Sequence, residues 1–165
     1  MYTIISATNR VGSHTEKVAL QYQKLFQDKS IDAKIFSLKD LNVLDRNPGF
    51  NKAETEFLIP AQKFIFIMPE YNGSFPGVVK AMIDISDIRT AWWGKKALLT
   101  GISTGRAGNL RGMDHMTGVL NYMKMIVHPN KLPISVIDTV MNKEGKIDNA
   151  TLQVIGRQID EFINF

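Results

Sequence analysis

The run from Phe64 to Met68 is apolar at five successive positions. A strand of that kind is stable only where both of its faces are covered, as in a parallel sheet flanked by helices. Four more short apolar or β-branched runs accompany it, at Tyr2 to Ser6, Ile31 to Ser37, Ala97 to Ser103 and Leu132 to Ile137. Helical spacing fills the intervals: Val18, Tyr22 and Leu25; Val79, Met82 and Ile83; Leu110, Met113, Thr117 and Leu120; and finally Leu152, Ile155, Ile159 and Phe162. Lys80 and Asp84 add an i, i+4 ion pair to the second of these helices. The segment 39–61 carries the weakest pattern, with a turn at Asn47-Pro48-Gly49 and a helix end at Pro60; Asn142 to Gly145 forms a second turn before the last helix. Five strand–helix alternations predict an α/β domain with a parallel sheet between two helical layers. Sheets of this type bind ligands at the carboxyl ends of their strands, where the winding direction reverses, so the loops after the first, third and fourth strands carry the functional expectation.

The first of these loops, Ser6 to Thr15, offers hydroxyls at Ser6, Thr8, Ser13 and Thr15, an amide at Asn9, a guanidinium at Arg10 and a flexible Gly12. Donors, positive charge and a helix N-terminus are what a phosphate requires. Ser13 and Glu16 also form a capping box, which needs no ligand. The second loop, Pro69 to Pro76, has two prolines and a glycine that fix an irregular backbone whose polar groups suit the edge of a heterocycle. In the third, Ser103-Thr104-Gly105-Arg106-Ala107-Gly108, two glycines permit close backbone approach to a ligand. Neither a Walker A loop nor a GxGxxG loop is present.

A chain of 165 residues fits one domain, 1–165, since domains commonly hold roughly 100–200 residues. It contains no cysteine, which excludes disulfides, thiolate nucleophiles and Cys-ligated metals, so any redox chemistry must rest on a borrowed group. His14, His115 and His128 are too far apart for a local metal motif. The net charge of +4 is concentrated in residues 61–131, with nine Lys/Arg against four Asp/Glu. That excess suits a small anionic ligand, whereas no clustered Lys/Arg with aromatic interleaving points to nucleic acid. The start of the chain lacks the basic and long apolar regions of a signal peptide, and no stretch approaches the ~20 apolar residues of a membrane helix; a cytoplasmic location is expected.

These loops carry a resemblance. Thr8-x-Arg10-x-x-Ser13-x-Thr15 is similar to the Ser-x-Arg-x-x-Ser-x-Asn phosphate loop of the NAD(P)H-dependent FMN reductases, a flavodoxin-like family that includes quinone, azo and chromate reductases. The segment Pro69-Glu70-Tyr71-Asn72-Gly73-Ser74, with Pro76-Gly77 and Lys80 through to Asp84, resembles the family's most specific stretch. Ser103-x-Gly105-x-x-Gly108, followed by Leu110-Arg111, resembles the third. Thr8 and Thr15 depart from the usual Ser and Asn, and Ala81 stands where the family often has Asn.

The resemblance implies a flavodoxin-like three-layer fold with a five-stranded parallel sheet in the order 2-1-3-4-5. It implies that Thr8, Arg10, Ser13 and Thr15 hold the phosphate of FMN. Pro69, Glu70, Tyr71, Asn72 and Gly73 would line the isoalloxazine edge, and Ser103, Thr104 and Gly105 its pyrimidine end. Hydride from NAD(P)H would pass to the flavin and on to a small acceptor such as a flavin, quinone or azo compound, with no catalytic side chain required. An electron-carrier flavodoxin and a non-catalytic flavin-binding protein are the alternatives. Such carriers are typically acidic and lack an Arg in the phosphate loop, against an isoelectric point of about 9.3 and Arg10 here. His115 reads as helix surface or core, and Trp92-Trp93 as packing or a subunit contact. The resemblance further implies a homodimer or homotetramer. Helices at 77–90 and 110–125 would form the interface if Met116, Val119 and Met123 make a second apolar stripe turned away from Leu110, Met113, Thr117 and Leu120.

Overall fold

A computed structural model describes all 165 residues, Met1–Phe165. Strands β1 (Tyr2–Ser6), β2 (Ala33–Ser37), β3 (Lys63–Pro69) and β4 (Lys96–Ile102) run parallel in the order β2-β1-β3-β4. The fifth position is shared by β5 (Ile126–Val127) and β6 (Leu132–Ile134), both paired with β4. The expected order 2-1-3-4-5 therefore holds, with the last strand broken in two. Helices α1 (His14–Asp28), α2 (Pro48–Ala53), α3 (Gly77–Ile85), α4 (Ile88–Ala91), α5 (Leu110–Tyr122), α6 (Ile137–Val140) and α7 (Asn149–Asn164) complete the chain.

The apolar run predicted as a doubly covered strand behaves as one. Alternate side chains of a strand point to opposite faces. Phe64, Phe66 and Met68 join one core with α2, α3 and α5, while Ile65 and Ile67 join the other with α1 and α7. Register follows from this burial. Tyr2 lies beside Lys63, and Lys63 beside Lys96, so β1, β3 and β4 start level and deliver their following loops to one edge.

The weakly patterned 39–61 segment resolves by capping. Asn47 Oδ1 accepts the Phe50 N–H at 2.9 Å and Pro48 opens α2, the position where its missing N–H costs nothing. The helix then widens into a π-helical turn, Glu54–Leu58, before the chain bends at Pro60.

Two expectations are corrected. The predicted strand from Leu132 to Ile137 ends at Ile134, because the residues beyond it are drawn to the third loop: Val136 N–H donates to Gly105 O and Ile137 N–H to Ser103 O. The gap between β5 and β6 is filled from α7, where Gln158 Nε2 donates to Leu99 O at 3.2 Å and Asn130 O at 2.8 Å. Its Oε1 accepts from the buried Tyr22 hydroxyl at 2.7 Å.

The second correction concerns the proposed dimer face. Met116 is fully buried and Met123 is 2% exposed; with Met113 and Leu120 they form the core face of α5. Leu110, assigned to the inner stripe, is 52% exposed. The inner face is broader and rotated from the expected one, so the exposed second stripe of Met116, Val119 and Met123 does not exist. Trp92 is packing, as expected: it is buried, and its indole N–H donates to Ser86 Oγ at 2.6 Å.

At the amino-terminal edge of the sheet, lysines cap helix carboxyl ends, where unpaired carbonyls concentrate negative charge. Lys63 Nζ donates to Phe162 O and Ile163 O at 3.0 and 2.9 Å. Lys95 Nζ donates to Leu58 O and Ile59 O at 2.9 and 2.8 Å and is 6% exposed. Burial lowers the Lys95 ammonium from 10.5 to about 8. Between those values the unfolded chain holds a proton on Lys95 that the folded chain has released, so this group's contribution to stability rises with pH through the window. Wild-type protein should therefore gain thermal stability relative to Lys95→Met as pH is raised from about 8 to about 10. A melting-temperature difference that stays flat across that range would show that Lys95 is not desolvated.

Candidate functional site

Gly12, at φ +66°, turns the chain out of the first loop, and Ser13 then caps α1 by accepting the Glu16 N–H at 3.2 Å. The N–H groups of His14 and Thr15 belong to the first helical turn and have no intrahelical acceptor, which leaves them for an anion. In the second loop, Asn72 (φ 52°) and Gly73 (φ +78°) are the two central residues of a tight hairpin closed by Tyr71 N–H to Ser74 O and Ser74 N–H to Tyr71 O. Asn-Gly is the pair that such a turn, left-handed at both positions, selects. The third loop is knotted around Ser103. Its hydroxyl donates to Gly105 O at 2.6 Å and accepts the Gly108 N–H at 2.8 Å.

Between the three loops lies a cleft of about 450 Å³, within the range of small-molecule and cofactor sites. Arg10, Ser13 and Thr15 line it from the first loop, and Pro69, Glu70, Tyr71 and Asn72 from the second. Ser103 and Thr104 line it from the third. Glu70 is the sole acidic side chain on the wall, and Arg10 with the α1 N-terminus adds positive charge to the same cleft. Tyr71 couples the first two loops. Its hydroxyl lies 2.7 Å from Thr8 Oγ1, and the Arg10 guanidinium stacks 4.1 Å from its ring centre.

Three residues expected at the cofactor do not line the cleft. Thr8 is buried behind the wall, where its hydroxyl meets Tyr71 and accepts the Arg10 N–H at 3.3 Å. Gly73 sits at the hairpin tip against the Arg111 side chain. Gly105 turns its carbonyl toward Val136. Sequence reasoning in turn missed four lining residues, Val11, His14, Ile102 and Ile137. His14 and Val11 stand inside the recognised loop and carried a local signal. Ile137 arrives from beyond β6, and only the tertiary fold places it here. His14 is anchored to that same region, with Nε2 at 3.1 Å from Asp138 Oδ1. His115 lies on the exposed side of α5, with Nδ1 2.9 Å from Ser74 Oγ.

Residues 2–137 match the sequence profile of the NADPH-dependent FMN reductases. Among curated proteins, an NAD(P)H-dependent FMN reductase of Pseudomonas aeruginosa is 31% identical over 67% of this chain and 64% of its own length. A 2-hydroxy-1,4-benzoquinone reductase of a Burkholderia species is 29% identical over 48% of this chain. The matched regions thus span 45% and 64% of the lengths of these two relatives. An FMN-dependent NADPH-azoreductase of Staphylococcus aureus is 25% identical over 98% of this chain and 93% of its own. Among solved structures, the flavoenzyme NAD(P)H:(acceptor) oxidoreductase FerB of Paracoccus denitrificans superposes with a TM-score of 0.80 at 21% identity, covering 99% of this chain and 94% of that one. An archaeal flavodoxin reaches 0.63 at 15% identity, covering 97% and 95%. At these identities the superpositions establish the flavodoxin-like fold.

Gly101, near the end of β4, and Gly105, in the third loop, separate by surroundings. A Cβ on Gly101, in β4, would lie 2.1 Å from Gly108 O and 2.9 Å from Asn109 Cβ, whereas one on Gly105 would meet nothing within 4 Å. The expected close approach at Gly105 is thus to no protein atom. In chemical denaturation of the ligand-free protein, Gly101→Ala should cost about 1–3 kcal/mol by overpacking, and Gly105→Ala should stay within about 0.5 kcal/mol of wild type. Equal stabilities for the two variants would show that the loop does not press on β4.

Proposed function

Because this chain belongs to the NADPH-dependent FMN reductase family, we propose that it binds FMN in the three-loop cleft and reduces a small acceptor at the expense of NAD(P)H. A quinone, an azo compound or a free flavin is the acceptor class. One observation carries the proposal: a positive, N–H-rich helix terminus and a slot between two backbone loops open into the same cleft. The donor set fits the group. Arg10, Ser13, Thr15 and the first turn of α1 would hold the phosphate, while the hairpin of Tyr71 to Ser74 and the third loop would hold the ring.

FMN bound in the cleft would supply the hydride-transfer chemistry between NAD(P)H and the acceptor. The chain's own part is to bind, orient and stabilise. Ser103 N–H is committed to Ile134 O, whereas Thr104 N–H and Gly105 N–H donate to no backbone carbonyl. Those two donors are the ones available to negative charge developing at the pyrimidine end of the ring. Glu70 gives the wall a fixed hydrogen-bond acceptor. No lining residue need act as acid or base.

Within the same proposal the protein is cytoplasmic and assembles as a homodimer or homotetramer, which sedimentation at micromolar concentration tests. No helix is long and apolar enough to cross a membrane.

Purified protein mixed with FMN should turn yellow, and anaerobic NADPH should bleach it. Binding without bleaching would assign it to the carriers instead, and failure to bind FMN would overturn the proposal. A charge-assisted hydrogen bond contributes about 1.5–3 kcal/mol, so Arg10→Ala should raise the FMN dissociation constant roughly 10- to 150-fold with little change in the stability of the ligand-free protein. An unchanged titration would remove Arg10 from the phosphate site.

A further inference from the structure

We infer that Asn109 is a positioning residue: it bolts the third loop to the end of β3, setting the width of the ring slot and the orientation of the Glu70 carboxylate within it. The inference rests on the FMN-binding proposal. Asn109 occupies the cap position of α5 yet makes no side-chain cap to that helix. Its backbone is left-handed (φ 59°) and the residue is completely buried. The side chain turns away from α5, and Nδ2 donates to Met68 O at 3.1 Å and to Pro69 O at 3.0 Å. Its backbone N–H reaches the next residue, donating to Glu70 Oε2 at 3.2 Å. One residue at the end of the third loop thus grips three successive residues, Met68 to Glu70, where β3 passes into the second loop.

The arrangement gives up local stability. An Asn at a helix cap ordinarily places its side-chain oxygen on a first-turn N–H. Here Asn109 Oδ1 is a buried side-chain atom without a hydrogen-bond partner, held so close to Gly112 that a Cβ there would lie 2.1 Å away. Reversing the amide would set that oxygen against two carbonyl oxygens, so the two bonds to β3 dictate its orientation. A buried orphan acceptor is retained only where something else compensates. What the residue gains is a link between the second and third loops, both of which line the cleft.

The second consequence concerns Glu70. With Oε2 held by Asn109, the sole carboxylate on the wall keeps one orientation and acceptor capacity to spare. A carboxylate so placed suits a heterocycle that presents an N–H at its edge, as the imide of a flavin does.

The test compares FMN with riboflavin, which lacks the phosphate. Asn109→Gly keeps the left-handed backbone and the N–H to Glu70 but deletes both bonds to β3. It should raise the dissociation constants of both flavins by a similar factor, roughly tenfold for two lost hydrogen bonds, and shift the visible band of bound flavin toward that of free flavin. Arg10→Ala, in contrast, should weaken FMN alone. Asn109→Asp, which preserves size and replaces the donating nitrogen with oxygen, is the second variant should Asn109→Gly not fold, and the same equal loss is expected. Ile155→Val, in the opposite core, serves as a control that lowers stability without touching the slot; it should leave both affinities unchanged. Wild-type affinities in a folded Asn109 variant would overturn the inference and leave the FMN proposal standing. Wild-type protein that binds neither flavin would overturn the proposal itself.

Discussion

Strand β3 has no solvent-facing side. Phe64, Phe66 and Met68 enter one core and Ile65 and Ile67 the other, so both its edges must be paired to satisfy its backbone. β1 and β4 provide that pairing, in registers that admit no slip without turning every side chain to the wrong face. Because the three strands start level, Ser6, Pro69 and Ile102 release their loops close together, and the cleft forms where those loops meet. The site is in this sense a product of core packing. Its position depends on residues that never approach a ligand.

Elements whose identity depends on local pattern were legible in the sequence. The first four strands, the Ser13 cap and the turn at Asn142 all follow from neighbouring residues. What escaped depended on contacts between distant segments. β5 is too short to announce itself, β6 is shorter than the run that predicts it, and the interruption between them makes sense only with Gln158, nearly thirty residues further along, supplying the missing hydrogen bonds. The inward face of α5 was misread because a helix rich in Met satisfies more than one stripe. Nine of the twelve expected cofactor residues line the cleft. Asn109 went unnoticed, since its importance lies in a left-handed backbone and partners about forty residues earlier in the chain.

Opposite edges of the sheet are built on opposite principles. At the amino-terminal edge, lysines close the carboxyl ends of helices and consume the free carbonyls. At the carboxyl-terminal edge, the cleft loops and their flanks include Asn72, Gly73, Gly108, Asn109 and Val136, all at positive φ. Left-handed backbone for non-glycine residues carries a cost that a plain loop would avoid. Three such residues, Asn72, Asn109 and Val136, stand in or beside the loops of the cleft. Tyr71 joins two of the cleft loops through its contacts with Thr8 and Arg10. A ligand then meets walls already ordered, and less of its binding energy is lost in fixing them.

The broken fifth strand also has a bearing on how the molecule coexists with its own copies. An open sheet ends in rows of unpaired backbone groups, and a long flat border invites another chain to add itself there. Here that border consists of two residues, an irregular bend through Pro129, and three more residues that include Pro133, which has no N–H to offer. Neither piece is long enough to template a neighbouring strand. The interruption filled by Gln158 thus leaves the sheet a frayed margin, and at a high cellular concentration that margin guards the folded protein against growing into aggregates.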